Sequence, residues 1–216
     1  MTPAALTTRL LVVRHGESEW NALGKWQGTE DPPLSEAGMR QADTAAQVLG
    51  TFDAIWCSQL ERAVSTAVII SERLGIGPVL VDDRLRESYL GSWQGLTAIE
   101  IEAGWPGYLA QHRPPDDAEP RESIVRRVSE CMIDIAEHTP GGEVLVVAHA
   151  GVIRTMRRFL SAPDVRFANL SGCWFAVDAG GTITAGDQVV LSSSADSPSA
   201  DSPSTDSPSA YSMVVE

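Results

Sequence analysis

Short, unbroken apolar runs that stop at charged or polar residues constrain this chain more than any other feature. Leu10-Leu11-Val12-Val13 lies between Arg9 and Arg14, and Glu143-Val-Leu-Val-Val-Ala runs up to His149. A strand buried on both faces reads as a continuous apolar run, whereas a half-exposed strand alternates, so these are the marks of a parallel sheet covered on both sides. Phe52–Ser58 and Val79–Val81 are weaker examples of the same kind. Between them lie stretches with helical spacing. Leu34–Leu49 has Ser35 as its N-cap, and Gln59–Leu74 is rich in Ala, Val and Ile. Ser123–His138 puts Ile124, Val128, Cys131 and Ile135 on one face, and Val152–Leu160 follows the strongest strand. Phe175–Asp178 and Thr182–Leu191 flank Gly180-Gly181 and read as two antiparallel closing strands. This alternation predicts a three-layer α/β/α sandwich with a mostly parallel central sheet.

Residues 1–191 are expected to form one catalytic domain, with a small cap insertion at about 97–122. From Ser192 the text changes character. Ala/Thr-Asp-Ser-Pro-Ser occurs three times, from Ala195, Ala200 and Thr205, and proline every fifth residue with almost nothing apolar predicts a disordered tail over 192–216. Sixteen basic against 29 acidic side chains give a formal net charge of −13. That balance argues against nucleic acid and membrane surfaces as partners. Three cysteines without CxxC spacing fit free thiols in a reducing compartment. The N-terminus lacks the pattern of a secretion signal, and no window approaches the ~18 apolar residues of a membrane span. The expected location is cytoplasmic.

In open α/β sheets, ligands bind beyond the carboxyl ends of the strands. Arg14, His15 and Gly16 follow the first strand; His149, Ala150 and Gly151 follow the strongest. Arg62 comes just past the second strand, one turn into its helix, and Glu87 follows the third. Singly, each fits a purely structural role: a core histidine, a surface arginine, a salt-bridge carboxylate. Together they bring two guanidiniums, two imidazoles and a carboxylate to one rim, with the two glycines expected to let a ligand approach the backbone.

These blocks resemble the histidine phosphatase (phosphoglycerate mutase-like) superfamily. The resemblance is carried by Arg14-His15-Gly16-Glu17-Ser18 with Asn21, Leu34–Gly38 with Gln41-Ala42, and Ser58–Ala63 with Thr66-Ala67. Leu85-Arg86-Glu87 with Gly91, Trp93 and Gly95, and Val147–Gly151, complete it, so that it covers nearly all of residues 9–160. It implies that His15 is a nucleophile forming a phosphohistidine, that Arg14, Arg62 and His149 clamp the phosphoryl group, and that Glu87 is the proton donor. Some branches place an aspartate directly after the second histidine; here that position is Ala150, which cannot donate. Ser18, Asn21, Gln27, Gly28 and Ala150 fall where the substrate would be bound.

Chemistry agrees with these roles. Phosphoryl transfer depends on positioning and on neutralising the equatorial oxygens, for which guanidinium forks are suited. A nucleophilic His15 must be neutral, so its other ring nitrogen should donate to a backbone carbonyl, while His149 should protonate beside a bound phosphate dianion. No metal and no cofactor are expected, and activity should survive EDTA. A phosphomonoesterase acting on a small phosphorylated metabolite is the leading reading. A 2,3-bisphosphoglycerate-dependent mutase is the alternative, disfavoured by Lys25-Trp26-Gln27-Gly28 and a compact core. An inactive phospho-ligand binder is a second alternative. Leu85–Thr97 is similar to the same stretch of glucosyl-3-phosphoglycerate phosphatases, and a homodimer would be common for the family. Within the cap, Trp105, Tyr108, His112 and Arg113 are candidates either to contact the substrate or to pack the cap, and Arg121 stands where family members often have glycine.

Overall fold

Registers between strands decide which side chains meet in this protein. The computed structural model describes residues 6–191; the tail expected to be disordered lies outside the described residues. Six strands, β1 (Thr7–Arg14), β2 (Ala54–Cys57), β3 (Val79–Val81), β4 (Glu143–Ala148), β5 (Ser171–Asp178) and β6 (Ile183–Val190), form one sheet in the order β3-β2-β4-β1-β5-β6. The first four run parallel, β5 is antiparallel to β1, and β6 is antiparallel to β5. The helices are α1 (Glu19–Ala22), α2 (Glu36–Val48), α3 (Glu61–Leu74), α4 (Ala98–Gly104), α5 (Arg121–His138) and α6 (Ala150–Phe159). This is the mixed α/β architecture, with helices on both faces of the sheet, that the strand-helix alternation predicted.

Successive side chains of a strand point to opposite faces, which divides each apolar run between two cores. Leu10 and Val12 of β1, with Val144 and Val146 of β4, pack against Val128, Cys131 and Ile135 of α5 and Val152, Ile153 and Met156 of α6. Leu11, Val13, Leu145 and Val147 face the other way, onto Ala45 and Ala46 of α2 and Ala63, Ala67 and Ile70 of α3. Burying each larger side chain contributes roughly 1.5–3 kcal/mol. The small residues of α2 and α3 let α3 lie close to the sheet and α2 pack against α3.

Ser35 caps α2 as expected, its hydroxyl accepting from the Gly38 N–H at 3.0 Å. Residues 97–122 open with α4, where Thr97 and Glu100 form a reciprocal capping box, and continue as turns until α5 begins. Two elements start earlier than the sequence suggests. β5 begins at Ser171, not Phe175, because Gly172 is pressed against the Val12 carbonyl, where a Cβ would approach to 2.2 Å. That glycine serves close packing within a strand, although glycine in a sequence reads as punctuation. α6 begins at Ala150, with His149 as its N-cap residue.

Candidate active site

The β1–β4 register pairs Arg14 with Ala148, so the next residue of each strand, His15 and His149, leaves the sheet beside the other. Their rings lie 5.1 Å apart, centroid to centroid, at 60°. The His15 N–H donates to the Ala148 carbonyl at 3.1 Å, which fastens the residue to the end of β4. On its other side, Asn169 Nδ2 donates to the His15 carbonyl at 3.0 Å. The Gly16 N–H donates to Thr66 Oγ1 at 3.0 Å, and that hydroxyl donates to the Arg62 carbonyl at 2.7 Å, tying the loop to α3.

Both nitrogens of His15 are committed. Nδ1 lies 2.6 Å from the Gly16 carbonyl, an acceptor, so Nδ1 carries the proton. Nε2 then presents its lone pair, and Arg62 Nε–H donates to it at 3.2 Å. Burial, then the Arg62 and Arg14 charges, push the His15 pKa well below its usual value, against the opposing pull of the Gly16 carbonyl. His15 is therefore a neutral imidazole of fixed tautomer, as a nucleophile requires.

Arg62 is 1% exposed and sits at the start of α3, nearer the helix terminus than the sequence implied. Its Nη1 donates to the Glu30 carbonyl at 2.7 Å and its Nη2 to the Gly28 carbonyl at 2.8 Å, with Asp31 3.6 Å from Nη1. Burial lowers its pKa to about 10, offset by Glu87 and Asp31, so it stays charged at neutral pH. Arg14 is buried beside the pair and donates to the Phe167 carbonyl at 2.9 Å. His149 is fully buried, and neither ring nitrogen has a hydrogen-bond partner among the described residues. Burial, followed by Arg62, His15, Arg127 and Arg14, holds its pKa well below the usual value. Without a bound anion His149 is neutral; protonation requires the phosphate dianion expected beside it.

Glu87 is held at the first turn of α6. One oxygen accepts the Gly151 N–H at 3.0 Å, and the other accepts the Ser88 N–H at 2.8 Å. A Cβ at position 151 would come within 2.4 Å of that carboxylate, so the glycine there makes room for Glu87. Gly16 likewise serves packing: a Cβ on it would meet the Gly38 carbonyl at 2.6 Å. The expectation that both glycines admit a ligand is thus replaced by two close approaches within the protein.

Ser18, Asn21 and Gln27 form one buried cluster. Ser18 Oγ–H donates to Gln27 Oε1 at 2.8 Å and accepts the Asn21 N–H at 3.1 Å, while Asn21 Oδ1 accepts from Asn169 at 3.3 Å. Gly28, with φ +57°, gives its carbonyl to Arg62, and Ala150 opens α6.

Beyond Glu87 lies a cavity of about 260 Å³, lined by Ser88, by Tyr108, His112 and Arg113 of the segment before α5, and by Arg154 and Arg158 of α6. Trp26 and Trp93 also line it, in edge-to-face contact at 5.4 Å. Trp105 does not reach it and packs against Trp93 at 6.3 Å. Among the described residues no cluster of His, Cys, Asp and Glu could hold a metal ion.

Two residues that organise the site are not evident from the sequence motifs. Asn169 gives no local signal. Arg127 gives one, since it interrupts the apolar stripe of α5. It is buried, pairs with Glu119 at 2.9 and 3.0 Å, and donates to the carbonyls of Arg84, Arg86 and Glu87 at 2.6, 2.7 and 3.4 Å.

A neutral, tautomer-locked imidazole thus lies between buried arginines, beside a second imidazole and a carboxylate. Residues 10–181 match the family model of the Histidine phosphatase superfamily (branch 1), and the chain belongs to that superfamily. It is 37% identical over 180 residues to a glucosyl-3-phosphoglycerate phosphatase of Mycobacterium tuberculosis, covering 76% of this chain and 80% of the relative. It is 33% identical over 183 residues to the adenosylcobalamin/alpha-ribazole phosphatase of Salmonella typhimurium, covering 79% and 90%. The solved structure of a mycobacterial glucosyl-3-phosphoglycerate phosphatase in complex with VO3 superposes with a TM-score of 0.74 at 34% identity, covering 82% of this chain and 95% of that one.

Proposed function

We propose that this protein is a phosphomonoester hydrolase that works through a phosphohistidine at His15 on a small phosphorylated metabolite, a sugar phosphate or phosphoglycerate derivative. One observation carries the reading: Nδ1 of His15 is spent on the Gly16 carbonyl, so the lone pair is on Nε2, where it accepts from the charged Arg62. A substrate phosphate arriving there takes over the Arg62 Nε–H, and His149, whose nitrogens have no partner among the described residues, gains one in a phosphate oxygen. The Nε2 lone pair attacks phosphorus, the ester P–O bond breaks, and the leaving oxygen takes a proton from Glu87. Glu87 then accepts a proton from water, the water oxygen attacks phosphorus, and the P–N bond breaks to release phosphate and neutral His15. Arg14, Arg62 and protonated His149 hold the equatorial oxygens throughout.

Residues 97–122 are assigned as a cap over the leaving group, with Ser18, Asn21, Gln27, Gly28 and Ala150 around the phosphate. The likeness to a glucosyl-3-phosphoglycerate phosphatase and to an adenosylcobalamin/alpha-ribazole phosphatase supports a small phosphorylated substrate. Three free, buried cysteines suit a reducing compartment, and we place the enzyme in the cytoplasm.

Turnover of para-nitrophenyl phosphate, with and without EDTA, tests the reading. Wild-type protein should release phosphate in both conditions and yield an acid-labile, base-stable phosphoprotein on rapid quench. His15→Ala should lose both by a factor on the order of 10⁴ or more, as removal of a nucleophile does. Phosphate exchange between phosphoglycerates, dependent on 2,3-bisphosphoglycerate and without net hydrolysis, would make it a mutase instead.

A further inference from the structure

The chain carries a net charge of −13, yet the cavity next to Glu87 is basic. Arg113, Arg121, Arg154 and Arg158 line it with His112, against a single carboxylate, Glu119. That carboxylate is already shared by Arg127 and Arg86. Arg154 and Arg158 both reach one acid, Asp164, whose carboxyl they hold down at about 2. Two cations on one anion leave an unbalanced positive charge on this face of α6. Arg113 pairs with Asp116 at 3.2 Å and lies 4.4 Å above the Tyr108 ring. Arg121 is different: among the described residues its guanidinium has no ion pair or hydrogen bond, and it lines this wall from the first turn of α5.

The cavity is also placed to receive what leaves the phosphate. Ser88, which lines it, donates through both N–H and hydroxyl to the Glu87 carboxylate. Arg154 and Arg158 follow Ala150 at intervals of four along α6, so they continue on one helix face away from the phosphate end. Trp26, Trp93 and Tyr108 give an aromatic wall against which a carbon skeleton can pack.

We propose that this cavity selects phosphomonoesters whose leaving group carries a further anionic group, carboxylate or second phosphate, and that Arg121 is the specificity-determining residue that pairs with it. The proposal rests on the hydrolase reading and deepens it. An exposed, unpaired guanidinium at the rim of a basic pocket matches such an anion by charge and by fork geometry.

Two substrate pairs differing in one group test it and separate the two sources of charge. 3-Phosphoglycerate differs from glycerol 3-phosphate by carboxylate in place of hydroxymethyl, and glucose 1,6-bisphosphate differs from glucose 6-phosphate by a second phosphate. In at least one pair, kcat/KM of the full chain should favour the more anionic member by about tenfold or more, the size expected of one charge-assisted contact. Arg121→Gln should bring that ratio towards one, chiefly through KM, and Arg121→Lys should restore part of it. Taking the ratio cancels any general loss of activity. Ratios near one in both wild-type pairs, or a preference unchanged in Arg121→Gln, overturn the proposal. Calorimetric binding of the same four compounds to His15→Ala, with and without Arg121→Gln, reads the preference without turnover. If wild type hydrolyses nothing but this binding preference exists and depends on Arg121, the hydrolase reading falls and the anion site stands.

Discussion

Two imidazoles 5.1 Å apart stand in opposite relations to their surroundings. His15 has both nitrogens occupied and its carbonyl held by Asn169, while His149 has neither nitrogen paired among the described residues. Buried polar atoms without partners are costly unless a ligand or water supplies them, and in the proposed mechanism a phosphate oxygen supplies the orphan imidazole. Arg127 acts at one remove. It touches no reacting group in the proposed mechanism but holds three carbonyls on and before Glu87 and fastens them to Glu119. It is a positioning residue. Arg127→Met should lower kcat on the order of a hundredfold, as misplacement of an acid by about 1 Å does, with KM much less affected. It should also lose about 3 kcal/mol of stability in urea titration, because Glu119 loses its 2.9 Å partner and keeps Arg86 at 3.8 Å. Arg127→Lys keeps the charge but lacks the fork, so it should recover stability more than kcat.

At the scale of elements, glycines set how closely helices approach the site. A Cβ on Gly38 of α2 would fall 1.9 Å from the Glu17 carbonyl, a collision with backbone. Gly38→Ala should therefore cost about 1–3 kcal/mol in a denaturant titration. A Cβ on Gly151 of α6 meets the movable end of Glu87 instead, so Gly151→Ala should leave the denaturation midpoint nearly unchanged while phosphate release falls at least tenfold, on the order expected for losing general-acid help. β1 and β4 were legible because a short, continuous apolar run ending at charged or polar residues fits little besides a strand covered on both faces, whereas β2 alternates and β3 is a half-exposed edge. α2, α3 and α5 were legible from their periodicity. α1 and α4 are four and seven residues long and show too little of a period to be seen, although the Thr97–Glu100 capping box is plain in the sequence. His15, Arg62, Glu87 and His149 could be found because each follows a strand end. Asn169 could not, since its role comes from the return of the chain past β1, which no local pattern encodes. Arg127 could have been found, as a charge on a stripe otherwise apolar.

For the whole molecule, the charge imbalance and the buried histidines govern pH behaviour. Folded His15 and His149 have pKa values well below 6.5, so below about pH 6.5 the unfolded chain binds protons that the native state does not. Stability then rises with pH through that range and is lost as pH falls, at up to about 1.4 kcal/mol per pH unit for each histidine. Unfolding free energy measured from pH 7 to pH 5 should decline, and saturating inorganic phosphate should flatten the decline by letting His149 keep its proton. Removing both imidazoles, as in His15→Ala/His149→Ala, should flatten it without phosphate. The strand order has a further consequence. β4 lies between β1 and β2, both made long before it, so a growing polypeptide that has not reached Glu143 holds two strands with a gap where their shared neighbour belongs. Pairings this distant in sequence form slowly. His15 therefore acquires its companion imidazole only once the chain has been made as far as His149 and the gap closes.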